Sequence, residues 1–278
     1  MEKVNFPITL MCRVLGVSRS GYYSFRADPI GKRRARDAAL LPEIRRIHQA
    51  SRGTFGSPRV CEQLRREGKP IGKHRVARIM RKHGITWKAR RRFKVTTQSN
   101  HTYPIAPNLL NRQFDVDSKD SAWCADITFI HTGEGWVYLA AVIDLSTRLV
   151  VGWAMDRHMQ TSLVESALKN ALAWRKPANR LVHHSDRGAQ YASNAYQRLL
   201  SQHGIECSMS RKGNCWDNAV MESFFGTYKQ ELAHHAKWHG LEDARAATMD
   251  YIEVFYNRKR IHSSLGYRTP KEVDEAAA

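Results

Sequence analysis

The sequence is poor in cysteine and contains no long hydrophobic run. Its five cysteines are scattered, and none lies in a Cys-x-x-Cys pair, which argues against a disulfide framework and against a zinc ribbon. No stretch of about 18 apolar residues could span a membrane, and the first residues lack the apolar segment and cleavage site of a signal peptide. These absences favour a protein of the reducing cytoplasm with no membrane partner.

The sequence also lacks the Gly-x-Ser-x-Gly motif of a serine hydrolase. Its densest polar stretch, HHSDRGAQY, nevertheless combines histidine, serine and aspartate within residues 183–191. Ser185 directly precedes Asp186 at the predicted end of a strand, a position that does not suit a nucleophile. We therefore expect His183 and His184 to alternate between the two faces of that strand, packing there or shaping the rim of a site.

Acidic residues are scarce in the first hundred residues. Residues 1–100 hold 25 Lys or Arg against 6 Asp or Glu, whereas residues 101–278 hold 20 of each sign. The net charge of +19 therefore lies entirely in the first part of the chain. A one-sided basic region is typical of a polyanion binder, and nucleic acid is the expected partner.

Short helical patterns with glycine turns fill this region and predict a small, basic, all-α helix-turn-helix domain over residues 1–95. Near its start, Leu10, Val14 and Leu15 form an apolar stripe, and residues 31–37 are interpreted as a basic link. A later helix is predicted to enter a DNA groove. The basic residues expected to contact DNA from that helix are Lys73, Arg75, Arg78, Arg81 and Lys82.

The composition of the sequence changes after residue 95. Residues 96–117 predict a linker, since they combine Thr, Ser, Asn and Pro without periodicity. From residue 118 onward, five segments rich in Val, Ile and aromatic residues predict strands, three in succession and two separated by helices. This order predicts an α/β fold, a mixed five-stranded sheet with flanking helices over residues 118–235. A C-terminal helix and basic tail at residues 236–278 are predicted to complete this core.

Three acidic residues occupy unusual places in this predicted sheet. Asp126 stands among apolar residues of the first strand, and Asp186 ends the fourth strand just before a glycine. Glu222 lies early in a helix whose neighbouring aromatic residues predict partial burial. Two Asp and one Glu on separate elements form an oxygen-only ligand set, which suits Mg²⁺ or Mn²⁺ better than zinc. Two other acids are given structural roles: Asp144 in a turn contact and Asp217 as a helix cap.

Several stretches resemble the catalytic core of the retroviral-type integrases and DDE transposases, and most closely the bacterial insertion-sequence transposases of family three. They are WCADITFI, GWVYLAAVIDLSTRLVVGWAM, HHSDRGAQY, MSRKGNCWDNAVMESFFGTYKQE and YNRKRIHSSLGYRTP. The resemblance extends from about residue 118 to residue 272, and the basic region before it resembles the family's helix-turn-helix segment. It implies an RNase H-like fold for the predicted sheet.

The resemblance implies that Asp126, Asp186 and Glu222 bind two Mg²⁺ ions, for which Mn²⁺ can substitute. Water would then attack when an element's end is nicked, and the freed DNA 3′-OH when strands are joined, without a covalent enzyme–DNA intermediate. Lys229, two helical turns after Glu222, matches a basic residue that contacts terminal DNA in the family. Weaker candidates for phosphate contacts are Arg187, Arg211, Lys212, Arg258 and Arg260.

The expected partners are the terminal inverted repeats of a mobile element and the target DNA. Bringing two DNA ends together implies at least a homodimer on DNA, and the resemblance raises an upstream-frame helix-turn-helix protein, fused or separate, as a further partner. Two alternatives remain open: an RNase H-like or resolvase-type nuclease that only hydrolyses, and a catalytically silent DNA-binding protein. The basic regions on both sides of the core favour transposition, because joining requires that two DNAs be held.

Overall fold

Two sets of secondary-structure elements follow one another along the chain. The first unit, Met1–Trp87, contains helices, and the second, Lys88–Ala278, contains a sheet with its helices. The computed structural model of the protein describes residues 6–28, 31–88, 103–177, 180–212 and 214–277. Within these residues, no helix is long and apolar enough to cross a membrane.

The helices of the first unit are α1 Ile8–Val14, α2 Arg19–Ala27, α3 Lys32–Ala50, α4 Ser57–Arg66 and α5 Lys73–Lys82. Gly16, with φ of 62°, makes the turn after α1, and Ser18 caps α2 by accepting a hydrogen bond from the Gly21 N–H (3.0 Å). The predicted stripe of apolar residues is not buried. Leu10, Val14 and Leu15 are 42%, 77% and 73% exposed.

Helices α3, α4 and α5 form the core of the first unit. Their buried side chains follow the helical repeat of the sequence and include Ile44, Ile47, Val60, Leu64, Val76 and Ile79. The prediction of a link at residues 31–37 is wrong, because α3 already begins at Lys32. Its early turns are tied to α5 by Asp37, which accepts hydrogen bonds from Arg75 (2.8 Å) and Arg78 (2.5 Å).

The strands of the second unit are β1 Ala122–Thr132, β2 Gly135–Asp144, β3 Val150–Asp156, β4 Val182–Ser185 and β5 Glu206–Met209. They form one sheet in the order β3-β2-β1-β4-β5. The first three strands are antiparallel, whereas β4 is parallel to β1 and β5 is parallel to β4. The predicted mixed five-stranded sheet is confirmed, and Asp144 closes the turn after β2 by accepting from the N–H and hydroxyl of Thr147.

The helices of the second unit are α6 Thr161–Arg175, α7 Ala189–Ala192, α8 Asn194–Gln202, α9 Ala219–Glu231, α10 Leu241–Met249 and α11 Pro270–Ala276. Helix α10 continues as a π-helix, Asp250–Tyr256, and a 3₁₀ turn, Cys215–Asn218, leads into α9. Side chains of α6, α7 and α8 share one core with β1 and β2. At Gly152 of β3 the close approach of α6 leaves no room for a side chain, since a Cβ there would lie 2.7 Å from that of Ala171.

Part of the predicted linker packs onto the sheet. The Met209 N–H of β5 donates to the Pro107 carbonyl (3.3 Å), and the Leu109 N–H donates to the Ser208 hydroxyl (2.9 Å). Leu110 is buried beside them. Residues 107–110 therefore belong to the second unit, while residues 96–102 of the predicted linker lie outside the described residues.

Candidate active site

The parallel pairing of β1 with β4 brings two of the predicted carboxylates together. Cys124 pairs with His184, so Asp126 and Asp186, each two residues further on, come level at the point where β4 ends. Side chains two positions apart in an extended chain share a face. Each carboxylate is oriented by a backbone N–H: Ile127 donates to Asp126 Oδ1 (2.8 Å), and Gly188 donates to Asp186 Oδ1 (2.9 Å).

The third carboxylate comes from the first turn of α9. The side-chain amide of Asn218 donates to the carbonyl of Ala125 (3.3 Å), which fixes the start of α9 against β1 beside Asp126. Glu222 lies one turn further along and is exposed. The three predicted acids are therefore brought to one end of the sheet, with Glu222 facing solvent.

The charge of Asp126 is influenced by the other two acids. Burial, repulsion from Asp186 and a smaller repulsion from Glu222 raise the pKa of Asp126 well above its ordinary value, although the Ile127 N–H and Lys229 oppose the shift. Burial raises the pKa of Glu222. Asp126 thus carries a carboxylate whose charged form needs a positive partner.

Lys229 provides one positive charge at the site. Its side chain is 7% exposed, and its Nζ lies 4.7 Å from the centroid of the Phe129 ring. Burial lowers the pKa of Lys229 to about 8, and the attraction of Asp126 opposes that change. This residue is therefore an internal cation between α9 and β1, rather than the solvated lysine of an exposed helix face.

Two histidines of β4, His183 and His184, precede Asp186. Both are fully buried. His183 Nε2 lies 3.0 Å from the Tyr196 hydroxyl, and His184 lies between the hydroxyls of Ser208 (2.8 Å) and Ser210 (3.2 Å). Burial lowers the pKa of His183 to about 3 and that of His184 to about 4, so both rings are neutral. Both histidines pack inside the second unit, which is one of the two roles that the sequence predicts for them.

Asp217 has a role that the sequence analysis missed. Instead of capping α9, its fully buried carboxylate accepts from the Arg211 guanidinium (2.8 and 2.9 Å), from Arg112 (2.9 Å) and from Asn108 (3.0 Å). These donors hold the pKa of Asp217 far below its usual range. Asp217 therefore ties the segment before the sheet to the loop before α9. No local signal marks this, because Asn108 and Arg112 lie about a hundred residues away.

The predicted DNA contacts differ in accessibility. Arg187 donates to the Ser210 carbonyl (2.6 Å) and is half-buried. Arg211 binds Asp217, while Arg258 and Lys212 are exposed. In α5, Lys73, Arg81 and Lys82 are exposed, whereas Arg75 and Arg78 pair with Asp37.

The prediction that Arg260 contacts a DNA phosphate is wrong. The sequence suggested a phosphate contact, but its side chain is 6% exposed and is bound to the carboxylate of Glu231. A buried arginine with both of its donor edges engaged has no face for a phosphate. It is therefore a structural residue.

The donor set fits a hard divalent cation. Carboxylate oxygens are the ligands that Mg²⁺ prefers, and mutual repulsion of the three acids is relieved by positive charge. Two buried polar atoms nearby, the Tyr191 hydroxyl and Asn218 Oδ1, have no hydrogen-bond partner among the described residues. Within the same residues, no group of three or more His, Cys, Asp or Glu side chains is arranged so that it could hold a metal ion. The acids converge, but the set is open on the side of Glu222.

Together, the sheet order, the paired aspartates and the glutamate of α9 define an integrase-type polynucleotidyl transferase core. Two family profiles, both described as "Integrase core domain", match residues 117–215 and 203–270. A third, described as "HTH-like domain", matches residues 35–93. These matches fall on the sheet unit and on the basic helices.

Relatives with high identity are found in enteric bacteria. The chain is 39% identical over 279 residues to "Transposase InsF for insertion sequence IS3A" of Escherichia coli (strain K12), covering 98% of this chain and 96% of the relative. It is 43% identical over 265 residues to "Insertion element IS600 uncharacterized 31 kDa protein" of Shigella sonnei, covering 95% and 97%. The chain belongs to the IS3 family of insertion-sequence transposases.

Solved structures with a similar fold have lower sequence identity to this chain than these relatives. A simian T-cell lymphotropic virus intasome in complex with PP2A regulatory subunit B56 gamma is 14% identical, with a TM-score of 0.46, covering 77% of this chain and 69% of that one. The HTLV-2 integrase catalytic core domain in complex with magnesium (trimeric form) is 13% identical, with a TM-score of 0.42, covering 56% and 97%.

Proposed function

We propose that this transposase cuts DNA at the ends of its element and joins the freed 3′ ends to a target, using one D-D-E site for both steps. The observation that carries the proposal is the convergence of Asp126, Asp186 and Glu222, where burial and then repulsion from the other two acids raise the pKa of Asp126. Such a set of acids is unfavourable unless cations bind to it.

Asp126, Asp186 and Glu222 would hold two Mg²⁺ or Mn²⁺ ions. When bound, the ions activate the attacking oxygen and stabilise the leaving oxygen of an in-line displacement at phosphorus. The N–H groups of Ile127 and Gly188 keep the two aspartates oriented. Glu222, the exposed member, completes the set from α9. The chain offers no nucleophile of its own in this scheme, so water or a DNA 3′-OH attacks.

Binding of DNA is assigned to exposed basic side chains. In the first unit these are Lys73, Arg81 and Lys82 of α5, with support from the partly exposed Arg75 and Arg78. In the second unit, Arg258, Lys212 and Arg211 are exposed and Arg187 is half-buried, whereas Lys229 is a buried cation beside Phe129 and would need to be uncovered before it could contact DNA. Since two element ends must meet, we infer at least a dimer on DNA, acting in the bacterial cytoplasm where that DNA lies.

The test uses Asp126→Asn, Asp186→Asn and Glu222→Gln, which remove charge while keeping shape. With a plasmid carrying the element's terminal repeats and Mg²⁺, we expect each variant to lose nicking and joining by at least about a hundredfold, because electrostatic stabilisation of the reacting phosphate lowers the barrier more than any other effect. Affinity for the repeats, measured without metal, should change little.

The matched control is Asp117→Asn, an exposed aspartate outside the sheet. It should cut and join like the wild type. Near-normal strand transfer by any of the three site variants would overturn the site assignment. Nicking without joining by the wild type would instead indicate a nuclease that only hydrolyses.

A further inference from the structure

Three aromatic side chains lie exposed near the turn between β1 and β2. Phe129 and Trp136 are 39% and 53% exposed, and their rings meet edge to face with centroids 5.2 Å apart. The exposed ring of His131 meets the same indole at 5.1 Å. We call Phe129, His131 and Trp136 the aromatic platform. A contiguous exposed aromatic surface is characteristic of a binding site.

The platform is joined to the active site through Lys229. The Lys229 ammonium lies over the Phe129 ring (4.7 Å to its centroid) and is also attracted by the Asp126 carboxylate. Phe129 follows Asp126 by three residues, about 10 Å along an extended strand. The paired residues of β4 end before this part of β1, so α9 and Lys229 reach the strand there. The Asp126 and Phe129 side chains leave opposite faces of β1, so Lys229 is the contact that links the platform to the carboxylates.

The platform is held in place before any ligand binds. Its turn is fixed to the segment before α10 by two backbone hydrogen bonds, from the Gly133 N–H to the Trp238 carbonyl and from the Glu134 N–H to the His239 carbonyl (both 2.9 Å). The two segments are tightly packed at Gly133, since a Cβ there would lie 3.0 Å from the His239 carbonyl oxygen. A fixed surface loses little conformational entropy on binding.

We propose that the aromatic platform stacks an unpaired nucleobase of the DNA end whose phosphate lies at the three carboxylates. Exposed aromatic rings bind bases of any sequence through their faces, and an adjacent cation attracts the attached phosphate. Bases inside a duplex have both faces covered, so the ligand is a base at an opened end. This inference rests on the proposed function, because it takes DNA as the substrate.

The experiment uses the full chain in EDTA, so that no DNA is cut. The probes are a short duplex ending in one unpaired 2-aminopurine and a blunt duplex of the same sequence. We expect the wild type to quench the unpaired 2-aminopurine and to prefer the open end. Trp136→Ala and Phe129→Ala should lower that preference by about tenfold, the size of one base–aromatic stack. Trp136→Phe should retain part of it.

The matched control is Trp174→Ala, because Trp174 is 49% exposed but lies on α6. It should quench and bind like the wild type. If both platform variants keep the wild-type quenching and preference while cutting proceeds, the platform is refuted and the proposed function stands. If the wild type bound neither probe, both the aromatic platform and the proposed function would be refuted. Thermal unfolding of each variant identifies loss through misfolding, in which case Trp136→Phe decides the result.

Discussion

Arg260 and Glu231 form a buried ion pair at the end of α9. The Nε and Nη2 atoms of Arg260 each lie 3.0 Å from Glu231 Oε1, and the Tyr251 hydroxyl donates to Glu231 Oε2 (2.8 Å). Both charged side chains are about 5–6% exposed. The pair connects the chain after the π-helix to the helix that carries Glu222 and Lys229. It therefore fixes the position of α9 against the sheet.

We expect Arg260→Met to destabilise the protein by about 3–5 kcal/mol, because it leaves the Glu231 carboxylate buried without a partner. Chemical denaturation of the full chain, followed by tryptophan fluorescence, measures this loss. The double variant Arg260→Met, Glu231→Leu should recover much of it, since both charges are then removed.

Arg258→Met is the control, since Arg258 is exposed two residues away. It should leave the free energy of unfolding nearly unchanged. The result would be contradicted if Arg260→Met were as stable as the wild type but bound DNA more weakly than Arg258→Met. That outcome would support the phosphate contact that the sequence suggested.

Asp126 gives a second prediction, on metal binding. A carboxylate whose pKa is raised in the folded state destabilises that state when it is charged, so Asp126→Asn should raise the free energy of unfolding in EDTA at neutral pH. Added Mg²⁺ should raise the unfolding temperature of the wild type, because a ligand that binds only the folded state stabilises it.

The same addition should have little effect on Asp126→Asn, which lacks one of the three acids. Differential scanning fluorimetry with and without Mg²⁺ measures both effects, and Asp117→Asn serves as the control with wild-type behaviour. Equal Mg²⁺ stabilisation of the wild type and Asp126→Asn would exclude Asp126 from a metal site.

Local sequence patterns were sufficient for the sheet, and they also guided the choice of the three acids, which stays a prediction. The strands around Asp126 and Asp186 are marked by their apolar runs, and Glu222 by its place near the start of an amphipathic helix. Long-range partners were not predictable in this way. Arg260 looks like any basic tail residue until Glu231, 29 residues earlier, is placed beside it. Asp217 looks like a helix cap until Arg112 approaches from the other end of the unit.

The exposure of the first helices does not follow from their sequence pattern, for a physical reason. The repeat of Leu10 and Val14 predicts an apolar face, but a face is buried only when another element covers it. Cys12 of α1 is buried, whereas these two residues remain exposed. Periodicity therefore identified the helix and not its environment.

The buried histidines of β4 give a third prediction, on pH. Their pKa values, about 3 for His183 and about 4 for His184, lie below the unfolded value of about 6.5. Between these limits the unfolded chain binds more protons than the folded chain. The free energy of unfolding therefore falls as the pH falls below about 6.5, by about 1.4 kcal/mol per pH unit for each histidine.

The raised pKa values of Asp126, Glu222 and Asp144 act in the opposite direction, so the contribution of one histidine is best measured as a difference. Urea denaturation at pH 6.5, 6.0 and 5.5 should give a steeper loss for the wild type than for His183→Gln, which has no group to protonate. His203→Gln, at an exposed position after α8, should keep the wild-type slope. Parallel profiles for the wild type and His183→Gln would mean that His183 is protonated as readily in the folded protein as in the unfolded chain.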